Sequence, residues 1–551
     1  MKLKYVLLCG LFVATQTFAQ VKMDAGDKLK VFFQVLDQHY TDTISDSAKQ
    51  KMTDIAIVKM LEELDPHSSY DPQSEVKKAD EPLVGNFEGI GVTFQMWKDT
   101  ILITEVLSGG PSQKIGLQEG DRIVKINDTV VAGVKIVQTD VIKKLRGKKG
   151  TQVKVGIVRK SAKNLLDFVI TRDRIPMHSI EAAYMASPTT GYIKLTRFSA
   201  TSVTEFFQVL ETLKVEGMQN LILDLQGNGG GYLTTAVKLC NEFLTQPDEL
   251  IVYTEGAHAK KEEYKTDGKG TVGTGKLIVL IDESSASASE IVSGFIQDSD
   301  RGLIVGRRSF GKGLVQFPYY FNDGSRVKLT VAHYYTPSGR CIQRPYVDGK
   351  KDYLDEINDR FKDGEVYGAD TFHFPDSLLY YTKNKRKVYG GGGIFPDVFV
   401  PVDTSLNSEY YQAIRRKGLL NNFCTEYVDL HRDELKKRFA TPEDFIANFD
   451  SKKEVIDSLF AKADLDSVQR DSAQIARSMP LFVNQTKSLI GRNLFENITF
   501  WKINNEMNDS YKKALELMNS DKFAVLNPDK KTIRKAEKEI EKKAQKNSKK
   551  K

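Results

Sequence analysis

The chain has 551 residues, of which 40% are hydrophobic and 28% are charged. This balance excludes a chain that is disordered throughout, and about 150 residues per domain gives three or four domains. The net charge of +7 lies in the tail 528–551, which holds eleven Lys or Arg and four Asp or Glu. Because that tail has no aromatic residues, we expect a solvated tail and no nucleic-acid-binding face, with loose attraction to an anionic envelope surface as the alternative.

The first nineteen residues are typical of a secretory signal. Lys2 and Lys4 precede an apolar run from Tyr5 to Ala14, and the small-residue site 17–19 follows it. The run is short of the roughly 20 apolar residues that span a bilayer, although an uncleaved anchor remains the alternative. We therefore predict an exported protein of the periplasm or cell envelope.

Cysteine and histidine usage gives no sign of a metal site. After removal of the signal, Cys240, Cys341 and Cys424 remain, which allows one disulfide at most. The seven histidines are isolated from one another, and no His/Cys pattern has the spacing of a zinc site. The sequence predicts neither a metal nor a cofactor.

The pattern of apolar residues divides the chain from residue 24 to residue 527 into four regions. Residues 24–83 have helical periodicity, and from Val84 short strands and glycine-containing turns follow as far as Arg174. Strands and helices alternate over 175–402, which is typical of an α/β core. Residues 404–527 return to helical periodicity without a chemical motif, and we expect this region to self-associate, bind an adaptor or pack on the core.

Three segments of the α/β core could carry chemistry, because each follows a predicted strand. Glycines at 227 and 229–231 could aim backbone N–H groups at a ligand. The serines of 284–290 lie between a buried strand and a helix, where a hydroxyl is exposed at the strand end, although a serine there is often a simple N-cap. In the third segment, 311–313, two glycines flank Lys312, and Gln316 shares its face if the stretch is extended.

Two other interpretations of these segments are weaker. Residues 306–313 nearly spell the phosphate-binding loop GxxxxGK[ST], but Gly313 replaces the hydroxyl residue and a strand-like stretch follows where a helix is required. A Ser–His–Asp triad would use His333, which lies in an apolar strand without an evident Asp partner. A serine with a lysine is the better pair, because a lysine in an apolar pocket loses its charge and can act as a base.

Together these segments resemble the tail-specific, or carboxy-terminal processing, serine proteases. The resemblance covers about residues 30–402, with several motifs in the order of that family. The motifs that carry it are 64–68 (LDPHS), 223–231 (LDLQGNGGG), 285–290 (SASASE), 310–316 (FGKGLVQ), 334–339 (YYTPSG) and 391–397 (GGGIFPD).

The resemblance implies the fold class and its domains. We expect an α/β protease core at 175–402, preceded in line by a β-rich PDZ domain at 84–174. N-terminal and C-terminal helical regions at 24–83 and 404–527 complete the molecule. In the PDZ domain, Gly89, Ile90, Gly91 and Val92 would form the loop that binds a peptide's terminal carboxylate.

The resemblance also implies the catalytic residues. The nucleophile falls on Ser287, the general base on Lys312 and the residue that orients this base on Gln316. The backbone N–H groups of Ala288 and Gly230 would form the oxyanion hole. Gln226 and Gly229 stand where the family usually has arginine and proline, which leaves the identity of the oxyanion glycine open.

The expected function is that of an exported serine endopeptidase that takes polypeptides by their C-termini and cleaves them through an acyl-enzyme, without a cofactor. The main alternative is a non-catalytic scaffold that only binds peptide C-termini. A remote alternative is a nucleotide-binding protein that uses the loop from Gly306 to Lys312. Nothing in the sequence favours nucleic acid as a partner.

Overall fold

The computed structural model describes residues 24–107, 109–347, 349–368, 375–528 and 531–538. The predicted signal at 1–19 and most of the predicted basic tail lie outside the described residues. Within the described residues, none of the helices combines the length and the apolar character that crossing a membrane requires.

Residues 24–62 form a compact unit of two helices. Helix α1 spans Ala25–His39, and helix α2 spans Asp46–Glu62. Asp24 caps α1, because its carboxylate accepts a hydrogen bond from the Asp27 N–H at 2.8 Å. An ion pair of 2.6 Å between Lys49 and Asp37 links the two helices.

The second unit opens with strand β1 (Ser69–Asp71) and helix α3 (Gln73–Val84), which ends at Gly85 in the left-handed conformation with φ 79°. A β-rich domain follows, and its apolar core is its own, built on Ile101, Ile123 and Val155. Its strands pair in the order β3-β4-β5-β7-β8, with β6 on β5, while β2 and β9 form the ribbon by which the chain enters and leaves. The elements are β2 (Asn86–Gly89), β3 (Val92–Trp97), β4 (Thr100–Val106), α4 (Pro111–Lys114), β5 (Arg122–Ile126), β6 (Thr129–Val130), α5 (Gln138–Leu145), β7 (Gln152–Val158), β8 (Leu166–Thr171) and β9 (Asp173–Pro176).

The α/β core follows, and it confirms the predicted fold class. Its first part contains β10 (Ile180–Ser187), β11 (Thr190–Leu195), α6 (Ser202–Val215), β12 (Asn220–Asp224), α7 (Leu233–Asn241), β13 (Pro247–Glu255), β14 (Glu262–Asp267) and β15 (Leu277–Ile281). Its second part contains α8 (Ala288–Asp298), β16 (Leu303–Gly306), β17 (Leu314–Tyr320), β18 (Arg326–Tyr335), α9 (Lys350–Lys362), β19 (Leu379–Tyr381), β20 (Lys387–Tyr389) and β21 (Val398–Phe399).

The main sheet has the order β10-β11-β12-β15-β16-β21, and its strands are parallel from β11 onward. Strands β12 and β15 are almost wholly apolar. Their side chains belong alternately to two buried clusters, one on each face of the sheet, so both faces of these strands are covered. Parallel strands end at the same edge of a sheet, so the loops after β12, β15 and β16 lie side by side. These loops carry the three segments singled out in the sequence.

A second sheet has the order β1-β18-β13-β14, with β17 paired on β18. We call residues 307–313, between β16 and β17, the lysine loop. The strand that follows this loop, β17, is hydrogen-bonded to the long strand β18. Beyond the core lies a helical region with its own apolar core. It consists of α10 (Glu409–Arg416), α11 (Leu419–Arg438), α12 (Pro442–Asn448), α13 (Ser451–Glu454), α14 (Ile456–Leu465), α15 (Ser472–Leu494), α16 (Asn497–Asn504) and α17 (Asp509–Met518).

Candidate active site

The three loops at the edge of the main sheet meet at a cleft of about 430 Å³. Ser287, Lys312 and Gln316 all line it, together with Gly229 and Gly231. The fold therefore brings together residues of the three segments, the most distant of which, Gly229 and Gln316, are 87 positions apart in sequence. One wall is made by α3, which contributes residues 79, 80, 83 and 84.

Ser287 lies at the junction between β15 and α8, in a strained backbone conformation. Its φ is 55° and its ψ is −113°, a combination that residues with a Cβ rarely adopt. The side chain is half-buried, and its oxygen faces the Glu290 N–H as part of a capping box at the start of α8, while no hydrogen bond joins its hydroxyl to another side chain of the described residues. A sharp strand-to-helix turn of this kind presents a serine Oγ to a substrate at the sheet edge.

Ala288 is the first residue of α8, so its N–H group lies at the positive end of the helix. That N–H donates to no acceptor among the residues that the structure describes. Because it directly follows Ser287 in the chain, it is positioned to stabilise an oxyanion formed on the serine.

Gly230 packs directly against the serine loop. A Cβ placed on Gly230 would lie 2.8 Å from the Ser287 Cβ and 3.0 Å from the Ala288 nitrogen, so only glycine fits there. The Gly230 N–H, however, donates to Asn228 Oδ1 at 2.8 Å. The role expected for Gly230 stays a prediction: its position is suitable for the oxyanion hole, but in this structure its N–H is already bonded.

Lys312 is half-buried, and its Nζ makes no hydrogen bond or ion pair with the described residues. Burial lowers the pKa of the Lys312 ammonium, and the positive charge of Lys328 acts in the same direction, while the carboxylates of Glu290 and Asp65 oppose it. No hydrogen bond joins Lys312 Nζ to Ser287 Oγ in the described structure. The amine is therefore shifted toward its neutral, basic form without being bonded to another group.

Glu290 holds the serine loop and the lysine loop together. Its fully buried carboxylate accepts hydrogen bonds from the backbone N–H groups of Ser287 at 2.8 Å and Lys312 at 2.9 Å. It also accepts from the Gly311 N–H at 2.7 Å and from the Ser309 hydroxyl at 2.5 Å. Burial raises the pKa of Glu290, against the effect of these donors. One carboxyl group thereby fixes the backbone at both candidate catalytic residues.

Tyr334 makes a second connection between the same loops. Its buried hydroxyl lies 3.0 Å from the Ser287 carbonyl oxygen and 2.7 Å from the Lys312 carbonyl oxygen, and it can donate to either. Tyr334 also lines the cleft. The backbone around both residues is therefore fixed from two sides.

Gln316 lies in the cleft as predicted from its spacing, but its partner differs from the expected one. Its Nε2 donates to Thr330 Oγ1 at 3.3 Å, and no hydrogen bond to Lys312 is present among the described residues. The Thr330 hydroxyl in turn donates to Asp65 at 3.1 Å. The reason is the pairing of β17 with β18, which sets Gln316 opposite Thr330 in register.

Sequence reasoning missed a further group of residues that support the lysine loop. Arg360 of α9 is buried and donates to the carbonyl oxygens of Ser309 at 2.8 Å and Phe310 at 3.2 Å. His67 Nε2 lies 2.8 Å from the hydroxyl of Tyr353, and burial lowers the pKa of His67 to about 4. No local sequence pattern predicts these contacts. The role of Glu290, in contrast, could have been predicted from its Ser-x-x-Glu spacing at the start of a helix.

The two weaker interpretations do not fit the structure. The loop after β16 leads into strand β17, so the nucleotide-binding alternative lacks the helix N-terminus that would hold phosphates. His333 lines a different groove, together with His258 and Phe317, and does not line the cleft of Ser287. Within the described residues, no group of three or more His, Cys, Asp or Glu side chains is arranged to hold a metal ion.

A second candidate site lies in the β-rich domain, in a groove of about 230 Å³ between β3 and α5. The predicted residues Gly89, Ile90, Gly91 and Val92 all line it. The N–H groups of Ile90 and Gly91 have no acceptor among the described residues, and Gly91 has φ 76°. Arg146, which sequence reasoning missed, also lines the groove, where it stacks 4.3 Å from the Phe87 ring and pairs with Glu81. Free N–H groups beside a cation suit an anionic ligand.

Comparison with known proteins identifies the family. Residues 189–350 match the model of peptidase family S41. The chain is 34% identical over 346 residues to the carboxy-terminal processing protease CtpA of Bacillus subtilis, an alignment that covers 59% of this chain and 72% of that protein. The chain belongs to the carboxy-terminal processing proteases of peptidase family S41.

Further relatives of this peptidase carry similar names. CtpB of Bacillus subtilis is 32% identical over 327 residues, covering 59% of this chain and 67% of that protein. A probable CtpA-like serine protease of Staphylococcus epidermidis is 33% identical over 318 residues, covering 57% and 62% of the two chains. A solved structure of a photosystem II D1 C-terminal processing protease is 25% identical, covers 68% of this chain and 86% of its own, and has a TM-score of 0.35.

Two other family models match this peptidase. Residues 89–169 match the PDZ domain, so the groove between β3 and α5 belongs to a PDZ domain. Residues 410–496 match a family of unknown function, DUF8443. The comparisons thus assign a family to the β-rich domain and the core, but they assign no role to the C-terminal helices.

Proposed function

We propose that this peptidase is an exported serine endopeptidase in which Ser287 is the nucleophile and Lys312 the general base. One observation carries the proposal. A half-buried serine in a strained turn shares a cleft with a lysine whose pKa is lowered, and neither group is bonded to another side chain of the described residues. These are the properties that an activated serine and a neutral lysine base require.

The reaction proceeds in two stages. Lys312 Nζ takes the proton of the Ser287 hydroxyl as its oxygen attacks the scissile carbonyl, and the Ala288 N–H stabilises the resulting oxyanion. The Lys312 ammonium then returns the proton to the leaving amine. Water, deprotonated by the same amine, hydrolyses the acyl-enzyme.

Two adjustments are part of this mechanism. Lys312 Nζ has to move into hydrogen-bond distance of Ser287 Oγ, which its flexible four-carbon side chain allows within one cleft. If Gly230 supplies the second oxyanion donor, Asn228 Oδ1 has to release its N–H. The Gln316 side-chain oxygen, which accepts no hydrogen bond from the described residues, is then available to orient Lys312.

We propose that substrates are extended polypeptides whose C-termini bind in the PDZ groove. The unbonded N–H groups of Ile90 and Gly91 would receive the terminal carboxylate, and the peptide would add as a strand along β3. Strand β3 pairs with β4 on one side, and the groove lies between β3 and α5. A non-catalytic scaffold would also use this groove, but it would not need Ser287 and Lys312 in one cleft.

Export rests on the sequence alone. The charged start at Lys2 and Lys4, the apolar run and the small-residue site before Gln20 support transport to the periplasm or cell envelope. Fractionation of the native host followed by N-terminal sequencing tests this. We expect an envelope protein that begins at Gln20, and an intact Met1 terminus in the cytoplasmic fraction would contradict the export proposal.

Cleavage of a C-terminally tagged unfolded protein tests the catalytic pair. Ser287→Ala removes the nucleophile, and Lys312→Arg keeps the charge but cannot release a proton at neutral pH. We expect both variants to lose at least about a thousandfold in kcat/KM, in the range found when members of a catalytic set are removed. Ser284→Ala is the matched control, because Ser284 is an exposed serine of the same loop that does not line the cleft.

Each outcome decides the proposal. Loss in both variants, with full activity of Ser284→Ala and unchanged melting temperatures, supports the pair. Full activity of Lys312→Arg would refute lysine as the base. Absence of cleavage by the wild type, combined with binding of the tag by the PDZ domain, would favour the scaffold.

A further inference from the structure

The C-terminal helical region, residues 409–518, makes two interfaces of opposite chemistry, and we refer to it as the C-terminal module. On one side it packs on the main sheet of the protease core. On the other side, its helix α11 contacts the PDZ domain. No family comparison assigns a role to these helices.

The interface with the protease core is apolar. Tyr511, Ala514 and Leu517 of α17 belong to the same buried cluster as Ile222 of β12 and Ile278 of β15. Such side chains are fully or almost fully buried, and burial of apolar surface at about 25 cal/mol per Å² is insensitive to screening by salt. The module is therefore an integral layer of the core.

The interface with the PDZ domain consists of ion pairs and polar contacts. Cationic residues of the PDZ domain face acidic residues of α11, and two pairs, both with Glu119, have the reverse polarity. The contacts are Lys98–Glu426 at 2.9 Å, Arg122–Asp429 at 2.6 Å, Lys160–Asp429 at 3.5 Å, Arg432–Glu119 at 2.6 Å, Lys436–Glu119 at 3.5 Å and the hydrogen bond from Thr425 to Gln95 at 3.0 Å.

The apolar cores of these two parts are separate, and the large apolar side chain at their contact, Trp97, meets a cation, with Lys462 Nζ 5.1 Å from its ring. Among the described residues, the apolar core of the PDZ domain and that of the C-terminal module share no member. Two polar atoms at the contact, Asp429 Oδ1 and Arg432 Nε, are buried without a hydrogen-bond partner in the described structure. Unsatisfied buried groups weaken an interface, so this one is not optimised for permanent attachment.

The contact lies at a functionally relevant end of the PDZ domain. The loop 89–91 precedes β3, which begins at Val92, whereas Gln95 lies in the far half of this strand and Lys98 directly follows its end. A peptide that adds antiparallel to β3 with its carboxylate at Gly91 runs toward this far end. The upstream part of a bound polypeptide therefore emerges beside α11.

We propose that the C-terminal module is a docking platform for the PDZ domain of the same chain. The apolar interface fixes the platform to the protease core, and the ionic interface holds the PDZ domain reversibly through α11. The platform thus sets the position of the peptide groove relative to the core, and it releases the domain when its ion pairs are broken. This docking rests on contacts that are independent of the catalytic chemistry proposed for Ser287.

The expected strength follows from the kind of contact. Exposed ion pairs contribute about 0.2–1 kcal/mol each, and the pairs formed by Lys98, Lys160 and Lys436 are of this kind because these three lysines are exposed. Several of them together supply more than the about 1.4 kcal/mol that corresponds to a tenfold change in an equilibrium. Because the screening length falls to about 3 Å at 1 M salt, high ionic strength is expected to open the contact.

Hydrogen exchange of the full-length protein tests the platform without any substrate. Amides of 95–100 and 119–122 report on the PDZ side of the contact, and those of β12 report on the core. We expect exchange at the PDZ side to become at least about tenfold faster between low salt and about 1 M sodium chloride, while β12 remains protected.

Charge variants separate docking from a general effect of salt. Arg432→Glu is expected to give the fast exchange already at low salt, because it opposes Glu119, and adding Glu119→Arg is expected to restore protection. Lys437→Glu makes the same charge change on α11 at an exposed position without an ion pair in the described structure, and it is expected to behave as wild type.

Each result has a definite meaning. Exchange at 95–100 that is unaffected by salt and by Arg432→Glu would overturn the platform. An equal effect of Lys437→Glu and Arg432→Glu would also overturn it, because the effect would then not depend on the contact. Restoration by the charge swap, with β12 protected throughout, supports it even if Ser287 proves not to be the nucleophile.

Discussion

The catalytic cleft and the PDZ docking contact both depend on carboxylates, but they use them in opposite ways. At the cleft, the fully buried Glu290 receives four hydrogen bonds, two of them from the backbone N–H groups of Ser287 and Lys312. At the docking contact, the carboxylates of α11 form side-chain ion pairs with partly exposed cations, and Asp429 Oδ1 has no partner among the described residues. This difference is what the two proposals require, because proposed catalytic groups have to be held rigidly whereas a proposed reversible docking contact has to be exchangeable.

The largest expected effect comes from Glu290→Gln, which changes the buried carboxylate at the cleft. The side-chain NH2 of glutamine cannot accept, so it would face two of the four donors that Glu290 now satisfies. We expect kcat to fall at least about a hundredfold and the melting temperature to fall, since each unsatisfied buried group costs about 1–3 kcal/mol. Steady-state kinetics and thermal unfolding measure the two effects.

Glu283→Gln is the control for this change, because Glu283 lies on the same loop and pairs with Arg307 at 2.8 Å away from the cleft. We expect its activity to remain within about twofold, as for loss of a typical surface ion pair. If Glu290→Gln retained wild-type kcat, the buried carboxylate would not position the reacting groups.

A smaller effect is expected when the PDZ groove is tested. We compare a substrate that has a free C-terminal carboxylate with the same substrate amidated at its C-terminus. Amidation removes the negative charge that the N–H groups of Ile90 and Gly91 would bind. Loss of hydrogen bonds to a charged group costs about 1.5–3 kcal/mol, so we expect KM for the amidated substrate to rise about 10- to 100-fold. Equal KM values would show that the PDZ groove does not read the terminal carboxylate.

The smallest expected effect is a shift of the pH profile in Lys328→Gln. The Lys328 charge lowers the pKa of Lys312, so its removal raises that pKa. Because only the neutral amine acts as a base, activity rises with pH through the Lys312 pKa, and this acid limb is expected to move to higher pH by up to about one unit. A profile of kcat/KM against pH measures it, and a shift to lower pH would contradict the assigned base.

The sequence predicted the parts of the site that depend on local pattern. The apolar runs of β12 and β15 placed the glycine and serine loops at strand ends, and the even spacing of Lys312 and Gln316 placed both in one cleft. It could not predict which partner each group selects. The bond from Gln316 to Thr330 depends on the register of β17 and β18, and the bond from Gly230 to Asn228 depends on the turn.

The contact between α11 and the PDZ domain also could not be predicted from the sequence. Its ion pairs join residues about 300 positions apart, such as Arg122 and Asp429, and charged helix faces of this kind are usually solvated. The support of the lysine loop by Arg360 has the same origin, because it depends on where α9 packs. Long-range pairing between charged side chains leaves no periodic signal in either segment.

Intact-protein mass spectrometry after reaction with a fluorophosphonate tests the central claim most directly, because this probe reports on one activated serine without any assumption about substrate. The account predicts a single adduct on Ser287 in the wild type, none in Ser287→Ala, and strongly slowed labelling in Lys312→Arg. An adduct that persists in Ser287→Ala, or wild-type labelling of Lys312→Arg, would contradict it.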